Sequence, residues 1–262
     1  MEKDYISIIE TERAERDAKY RSDPVNWLSL VGRIPLNEGE NRFSEEISVP
    51  GVFIVKDSEV SFTPDVGSAV TVNGEPFSGG RFATDQDDRQ DTLAFGSLVM
   101  QIILRNGTFF LRVWDKESPA LKEFHGFNYF PVKPEYVIEA EFETFENPRV
   151  LETFDAIGGT HQTAFLGAAH FTWNGTACRL IAEDIGEEGL LFNFTDECRK
   201  DLTYPGGRHV ETAQSVDGKV TLDFNRALNW PCAYTHFATC PLPSFENRLA
   251  VRIEAGEKKY HD

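Results

Sequence analysis

Four Asn-Gly or Asp-Gly pairs punctuate the chain, at Asn73-Gly74, Asn106-Gly107, Asn174-Gly175 and Asp217-Gly218. A two-residue turn of this kind needs positive φ at both central residues. Asn, Asp and Gly adopt it at least cost, and its twist matches that of the strands on either side. The flanking segments alternate apolar and polar residues, which is the period of a half-buried strand. The spacing therefore predicts hairpins. Strands 98–105 and 108–115 pair so that Gln101 faces Arg112 and Leu98 faces Asp115. Strands 163–173 and 176–183 put Ala169, Phe171, Trp173, Cys178 and Leu180 on one face, with His170 opposite Arg179 on the other. Around Asp217-Gly218, Val216 faces Lys219, Thr212 faces Asp223 and Val210 faces Asn225. Arg208, Thr212, Asp223 and Asn225 then project from one face, and Val220, Leu222 and Phe224 from the other.

Further strands are predicted at 46–49, 51–56, 59–63, 68–72, 136–145, 149–155, 189–196 and 247–254. Residues 85–91 read as an acidic, solvated loop. A helix is predicted over 4–21, with Tyr5, Ile8 and Ile9 on one face, ending before Pro24 because the residue ahead of a proline avoids helical dihedrals. No strand–helix alternation runs through the chain. The expected fold is mainly β, an antiparallel β-sandwich or open barrel built of hairpins, with an N-terminal helix. Residues 1–35 form a helical brace and 36–262 a single β-rich body.

The chain's 43 acidic and 26 basic residues give a net charge of −17, a field that repels phosphate backbones and anionic membrane surfaces. Neither nucleic acid nor membrane is an expected partner. The charged N-terminus lacks the apolar core of a signal peptide, and four cysteines in 262 residues are no disulfide framework. These point to a cytoplasmic protein with reduced thiols.

Residues 194–243 hold the densest chemistry. Arg208 follows the turn Pro205-Gly206-Gly207, whose backbone N–H groups can approach a ligand. Arginine's planar fork grips carboxylate or phosphate at two points. Arg208, Asp223 and Asn225, with Tyr204 and Arg112, are the candidate ligand-binding residues. His125 and Asp223 are candidate general bases, and Cys232 and Cys240 candidate nucleophiles. The spacing Cys232-x3-His236-x3-Cys240 lacks the second ligand pair of a zinc site. No metal or cofactor is expected, and no phosphate loop, nucleophile elbow or HExxH motif appears.

An ordered set of motifs carries a family resemblance. It comprises T-Y-x-G-G-R at 203–208, L-D-F-N-x-A-x-N at 222–229, P-C-A-Y at 231–234, A-T-C-P-L-P at 238–243, E-N-R-L at 246–249 and A-G-E-K at 255–258. Upstream lie Trp27-Leu28 with Gly32 and Leu36, Leu111-Arg112-Val113 with Asp115, and Phe124-x-Gly126 with Phe130-Pro131-Val132. Together, over Arg13 to Tyr260, they resemble the prokaryotic domain-of-unknown-function family 1684. That family usually reads Asn-Pro where this chain has Asn229-Trp230. The resemblance implies a shared fold and a shared pocket, and brings no activity.

Three functions fit these residues. The first is binding of a small polar or anionic metabolite in an Arg/Asp/Asn-lined pocket. The second is an enzyme, a hydrolase or isomerase, using Asp223, His125 or a cysteine there. The third is an interaction module with no pocket. Oligomeric state is not legible.

Overall fold

The computed structural model describes residues 2–44 and 47–261. Helix α1 (Glu2–Ser22) opens the chain. Two compact units follow from the contacts: Tyr20–Phe124, and the helix up to Lys19 together with everything from His125 onward. No helix among the described residues is long and apolar enough to cross a membrane.

The Tyr20–Phe124 unit contains β1 (Leu30–Pro35), β2 (Gly39–Phe43), β3 (Val49–Lys56), β4 (Glu59–Pro64), β5 (Thr71–Val72), β6 (Glu75–Pro76), β7 (Gly80–Arg81), β8 (Leu93–Phe95), β9 (Leu98–Arg105) and β10 (Thr108–Asp115). They form a six-stranded sheet, β1-β10-β9-β8-β5-β6, and a four-stranded sheet, β2-β3-β4-β7, both antiparallel. The two sheets share one sandwich-like core. Phe53, Phe62, Met100, Ile102 and Leu111 are all essentially inaccessible there. Burying each such side chain contributes roughly 1.5–3 kcal/mol. The Asn106-Gly107 hairpin has the predicted register, with Gln101 opposite Arg112 and Leu98 opposite Asp115. The strand predicted at 46–49 starts on Glu46, outside the described residues. The acidic loop at 85–91 is more than a solvated stretch. Asp85 accepts the Leu104 amide at 2.8 Å, and Asp91 accepts the Ala83 amide at 2.8 Å and the Asn73 side chain at 2.6 Å, so its carboxylates cap neighbouring backbone.

The other unit is built on one seven-stranded antiparallel sheet. Its strands are β11 (Val137–Phe154), β12 (Thr160–Trp173), β13 (Thr176–Asp184), β14 (Leu190–Phe194), β15 (Arg208–Thr212), β16 (Lys219–Asp223) and β17 (Leu228–Asn229), in the order β16-β11-β12-β13-β14-β15-β17. β11 absorbs both predicted strands, 136–145 and 149–155, through a register shift between Thr144 and Arg149. The Asn174-Gly175 hairpin pairs His170 with Arg179, as predicted. Phe171, Leu180, Phe192, Phe194, Val210, Leu222 and Phe224 form the core, and Cys178 is buried among them.

Two predictions fail here. The Asp217-Gly218 turn forms, with Val216 bridged to Lys219 and φ positive at both turn residues. Its arms then separate. β15 pairs with β14, so Thr212 lies opposite Leu190 and Val210 opposite Phe192. β16 pairs with β11, placing Asp223 opposite Val137. A tight turn fixes only the first pair, and longer partners elsewhere in the sheet claim both arms. The predicted strand 247–254 is absent as well. Leu249 donates to the Thr195 carbonyl and Ile253 to the Asp196 carboxylate, Gly256 accepts the Phe130 amide, and a side chain meets the carbonyls of Ile253, Ala255 and Glu257, so isolated bridges replace a ladder.

Gly189, at the bend into β14, has φ of +119°, and a Cβ there would sit 1.9 Å from the Thr212 carbonyl oxygen. Gly189→Ala should force β14 and β15 apart. We expect a loss of about 2–4 kcal/mol in chemical denaturation; a change within about 0.5 kcal/mol, the scale of a neutral surface substitution, would show that the bend is tolerant.

Candidate functional site

Side-chain alternation along β15 decides what its residues can do. Arg208, Val210 and Thr212 share the inward face and are buried, while His209 and Glu211 point the other way. Arg208 is thus a core residue, 1% exposed. Its Nη2 donates to the Ile253 carbonyl at 2.9 Å and to Asp196 Oδ1 at 3.4 Å. Its Nη1 donates to the carbonyls of Ala255 and, at 3.2 Å, Glu257. Burial pulls this guanidinium's pKa down, and Asp196 opposes the shift. It meets no open cleft and serves as a structural staple rather than a ligand anchor.

Asp223 and Asn225 lie elsewhere and are also engaged. Asp223 accepts the Tyr5 hydroxyl at 2.7 and 2.8 Å, the Asn225 amide at 3.1 Å and Arg226 Nη1 at 3.0 Å. The Asn225 side chain accepts the Lys133 amide at 3.0 Å and donates to the Lys133 carbonyl at 2.9 Å. These bonds leave neither side chain open to a reacting group. Burial and the Asp223 carboxylate together hold the Tyr5 hydroxyl well above its ordinary value.

The same contacts explain how α1 docks. Of its 21 residues only Ile9 is buried, and Ile8, expected on the inner face, is half exposed. The helix is held by polar side chains instead. Arg13 Nη1 donates to the Phe130 carbonyl at 2.9 Å, and Nη2 to the Asn225 carbonyl at 3.0 Å. Arg16 donates to the hydroxyls of Tyr129 at 2.7 Å and Tyr234 at 2.8 Å, lies 3.3 Å from Glu257, and stacks 3.8 Å over Phe127. Glu12 takes a two-point grip on Arg226.

Docking through long side chains leaves space beneath the helix. A cleft of about 360 Å³ runs there, lined by Arg13, Arg16, Tyr129, His209, Asn225 and Arg226 among others. The three guanidiniums differ. Arg226 is matched by Glu12 and Asp223, and Arg16 by Glu257. For Arg16, burial alone would lower the pKa, but the Glu257 carboxylate outweighs it. Glu257, buried itself, is pushed above the usual carboxylate range despite Arg16. Arg13 has no carboxylate in contact among the described residues. Two of its five N–H donors go to carbonyls, and its buried Nε has no hydrogen-bond partner.

His209 is the cleft's titratable base. Its ring stacks on Trp230 at 4.1 Å, and its Nδ1 has no hydrogen-bond partner. Burial, reinforced by the charge of Arg16, pulls its pKa down to about 4. It is therefore neutral at physiological pH.

Of the predicted binding residues only Asn225 lines this cleft. Tyr204 and Cys232 share a second cleft of about 420 Å³ with His236 and Lys259. Burial pushes the Tyr204 hydroxyl up to about 12, with Cys232 and Cys240 adding to the shift. In the Gly206-Gly207 turn the Gly207 N–H is taken by the Tyr204 carbonyl at 3.1 Å. Arg112 belongs to the other unit, opposite Arg33 and 5.5 Å from the Trp27 ring. His125 is exposed and lines neither cleft. Among the described residues no group of three His, Cys, Asp or Glu is placed to hold a metal ion. Sequence reading missed Arg13, Arg16 and His209. The parity of Val210 would have found His209; nothing local marks the two arginines.

A family model described as "Protein of unknown function (DUF1684)" matches residues 122–258, just over half of the chain. The chain belongs to the DUF1684 family. The matched region falls on the seven-stranded unit and includes the His209 side of the cleft. It is narrower than the span over which the motifs were read. No curated protein matches this DUF1684 chain. Among solved structures, an uncharacterized Haloarcula marismortui protein determined by solution NMR is 29% identical. The alignment covers 52% of this chain and 78% of that one, with a TM-score of 0.44.

Two outcomes follow. Arg208→Leu leaves three carbonyls without a donor and the buried Asp196 carboxylate with the Ile253 amide but no cation, and should cost about 3–5 kcal/mol; loss of under about 1 kcal/mol in urea melts would remove its structural role. For His209, the unfolded ring takes a proton near its ordinary value of 6.5, while the folded ring waits until about 4. Stability is thus lost as pH falls from 6.5 to 4, by on the order of 3 kcal/mol. The difference in stability between wild type and His209→Phe should shift by that amount across this window. A flat difference would mean that the folded ring titrates normally.

Proposed function

We propose that this DUF1684 protein binds a small polar metabolite bearing a carboxylate or phosphate in the cleft beneath α1. Arg13 carries the reading: a half-buried guanidinium with donors to spare and no contacting carboxylate. Holding such a charge out of bulk water is unfavourable unless something answers it. An incoming anion answers it, and charge-assisted hydrogen bonds to a guanidinium are among the stronger polar contacts. The mixed surroundings select further. Glu12 and Glu211 at the cleft disfavour a highly charged ligand, and the rings of Tyr129 and His209 suit an apolar portion. Neutral His209 contributes a donor or acceptor rather than a charge.

The net charge of −17 does not oppose this. Fields from exposed charges are screened within about 8–10 Å in physiological salt, whereas a contact at hydrogen-bond distance is not.

The test is a thermal-shift screen of purified protein against small carboxylates, phosphates and sugars, followed by calorimetry. A ligand at one hundred times its dissociation constant stabilises by about 2.7 kcal/mol. Arg13→Gln should weaken the hit about ten- to hundredfold, the weight of a charge-assisted bond. Arg112→Gln should leave it unchanged. Equal binding by Arg13→Gln, or silence across the panel, would refute the reading.

A further inference from the structure

The second cleft carries an independent inference. Cys232 sits on a short helical turn, Pro231–Ala233, and Cys240 precedes Pro241. The Cys232 amide donates to Cys240 Sγ at 3.1 Å, and the Cys240 amide donates to Cys232 Sγ at 3.3 Å. Two reciprocal contacts set the residues side by side, the arrangement that a disulfide's short Cβ–Cβ span of about 3.5–4.5 Å needs. They also aim one backbone N–H dipole at each sulfur, which favours negative charge there.

The loop between them is tied down at both ends. Ala233 and Tyr234 amides bond back to Trp230 and Pro231, and the Cys240 carbonyl accepts the Ala156 amide at 2.9 Å. The two sulfurs differ in access. Cys232 is half-buried and lines the cleft with Arg199, Lys259 and His236, while Cys240 is buried behind it. Basic side chains outnumber acidic ones along that cleft, Arg199, Lys200 and Lys259 against Asp201, a setting in which an accessible thiol gives up its proton more readily.

We propose that Cys232 and Cys240 are a disulfide-forming pair, oxidised by a peroxide that enters this cleft. The Cys232 thiolate attacks one oxygen of hydrogen peroxide and breaks the O–O bond. Sulfenic acid forms on Cys232, and the departing hydroxide takes a proton and leaves as water. Cys240 sulfur then attacks Cys232 sulfur; the S–S bond forms, the S–O bond breaks, and a second water leaves. Two thiols and one peroxide thus give one disulfide and two waters, the two electrons passing from sulfur to oxygen.

The chain supplies its own controls. Cys178 and Cys198 are buried, and burial, with Asp196 adding to it, pushes the Cys198 thiol up to about 12. Neither should respond.

The experiment treats reduced full-length protein with a few equivalents of hydrogen peroxide, quenches with N-ethylmaleimide under denaturing conditions, and maps the peptides by mass spectrometry. The expected product is one Cys232–Cys240 cross-linked peptide, two hydrogens lighter than its thiols. It should form at least about tenfold faster than any oxidation at Cys178 or Cys198, as accessible thiolates outpace buried thiols. In Cys240→Ser, dimedone should trap sulfenic acid at Cys232. The proposal is overturned if Cys232 and Cys240 are alkylated to the same extent with and without peroxide. It is also overturned if Cys232 advances to sulfinic acid in wild type with no disulfide. The wild-type map decides even if the variant fails to fold.

Discussion

The buried Arg208 guanidinium is the interaction on which the seven-stranded unit depends. It projects inward from β15 and gathers the carbonyls of Ile253, Ala255 and Glu257 together with Asp196. Those carbonyls belong to a segment that makes only isolated bridges with its neighbours, so their hydrogen-bonding needs fall on one side chain. A planar group with several donors in fixed directions can meet that need where a lysine cannot. The segment it positions carries Glu257, whose carboxylate then receives Tyr234 at 2.7 Å, the Asn229 amide at 2.9 Å and, from α1, Arg16. Core staple, C-terminal segment and helix dock are links in one chain of polar contacts.

That sequence of contacts also accounts for the cleft. A helix with a wide apolar stripe packs flush on a sheet and leaves no room. α1 buries one isoleucine and stands off on arginine and tyrosine side chains. The space under it is the geometric result of holding a helix by its longer polar side chains.

Much of the β architecture was legible in the sequence, because Asn-Gly turns and period-two alternation are local signals. The pairings Gln101–Arg112 and His170–Arg179 follow from turn chemistry alone. The failures are of one kind. Asp217-Gly218 says that the chain reverses, but not whether the arms stay together, which depends on β11 and β14 offering better partners. The charge of Arg208 suggests a ligand anchor, but Val210 two residues on is fully buried, and alternation sends both the same way. Arg13 and Arg16 looked like the solvated side of a helix. Their partners lie more than one hundred residues away, so no window of sequence around them carries the information.

Tyr5 and Asp223, bonded at 2.7 Å, are 218 residues apart in the chain. At a synthesis rate of about 5–20 residues per second, the helix leaves the ribosome some 10–40 s before its dock exists. The strands of the Tyr20–Phe124 unit, paired within one continuous stretch, can settle in the meantime. Of the elements described, the helix waits longest for its partner. Its charged, sparsely apolar surface suits it to that wait, since it offers little for other nascent chains to stick to.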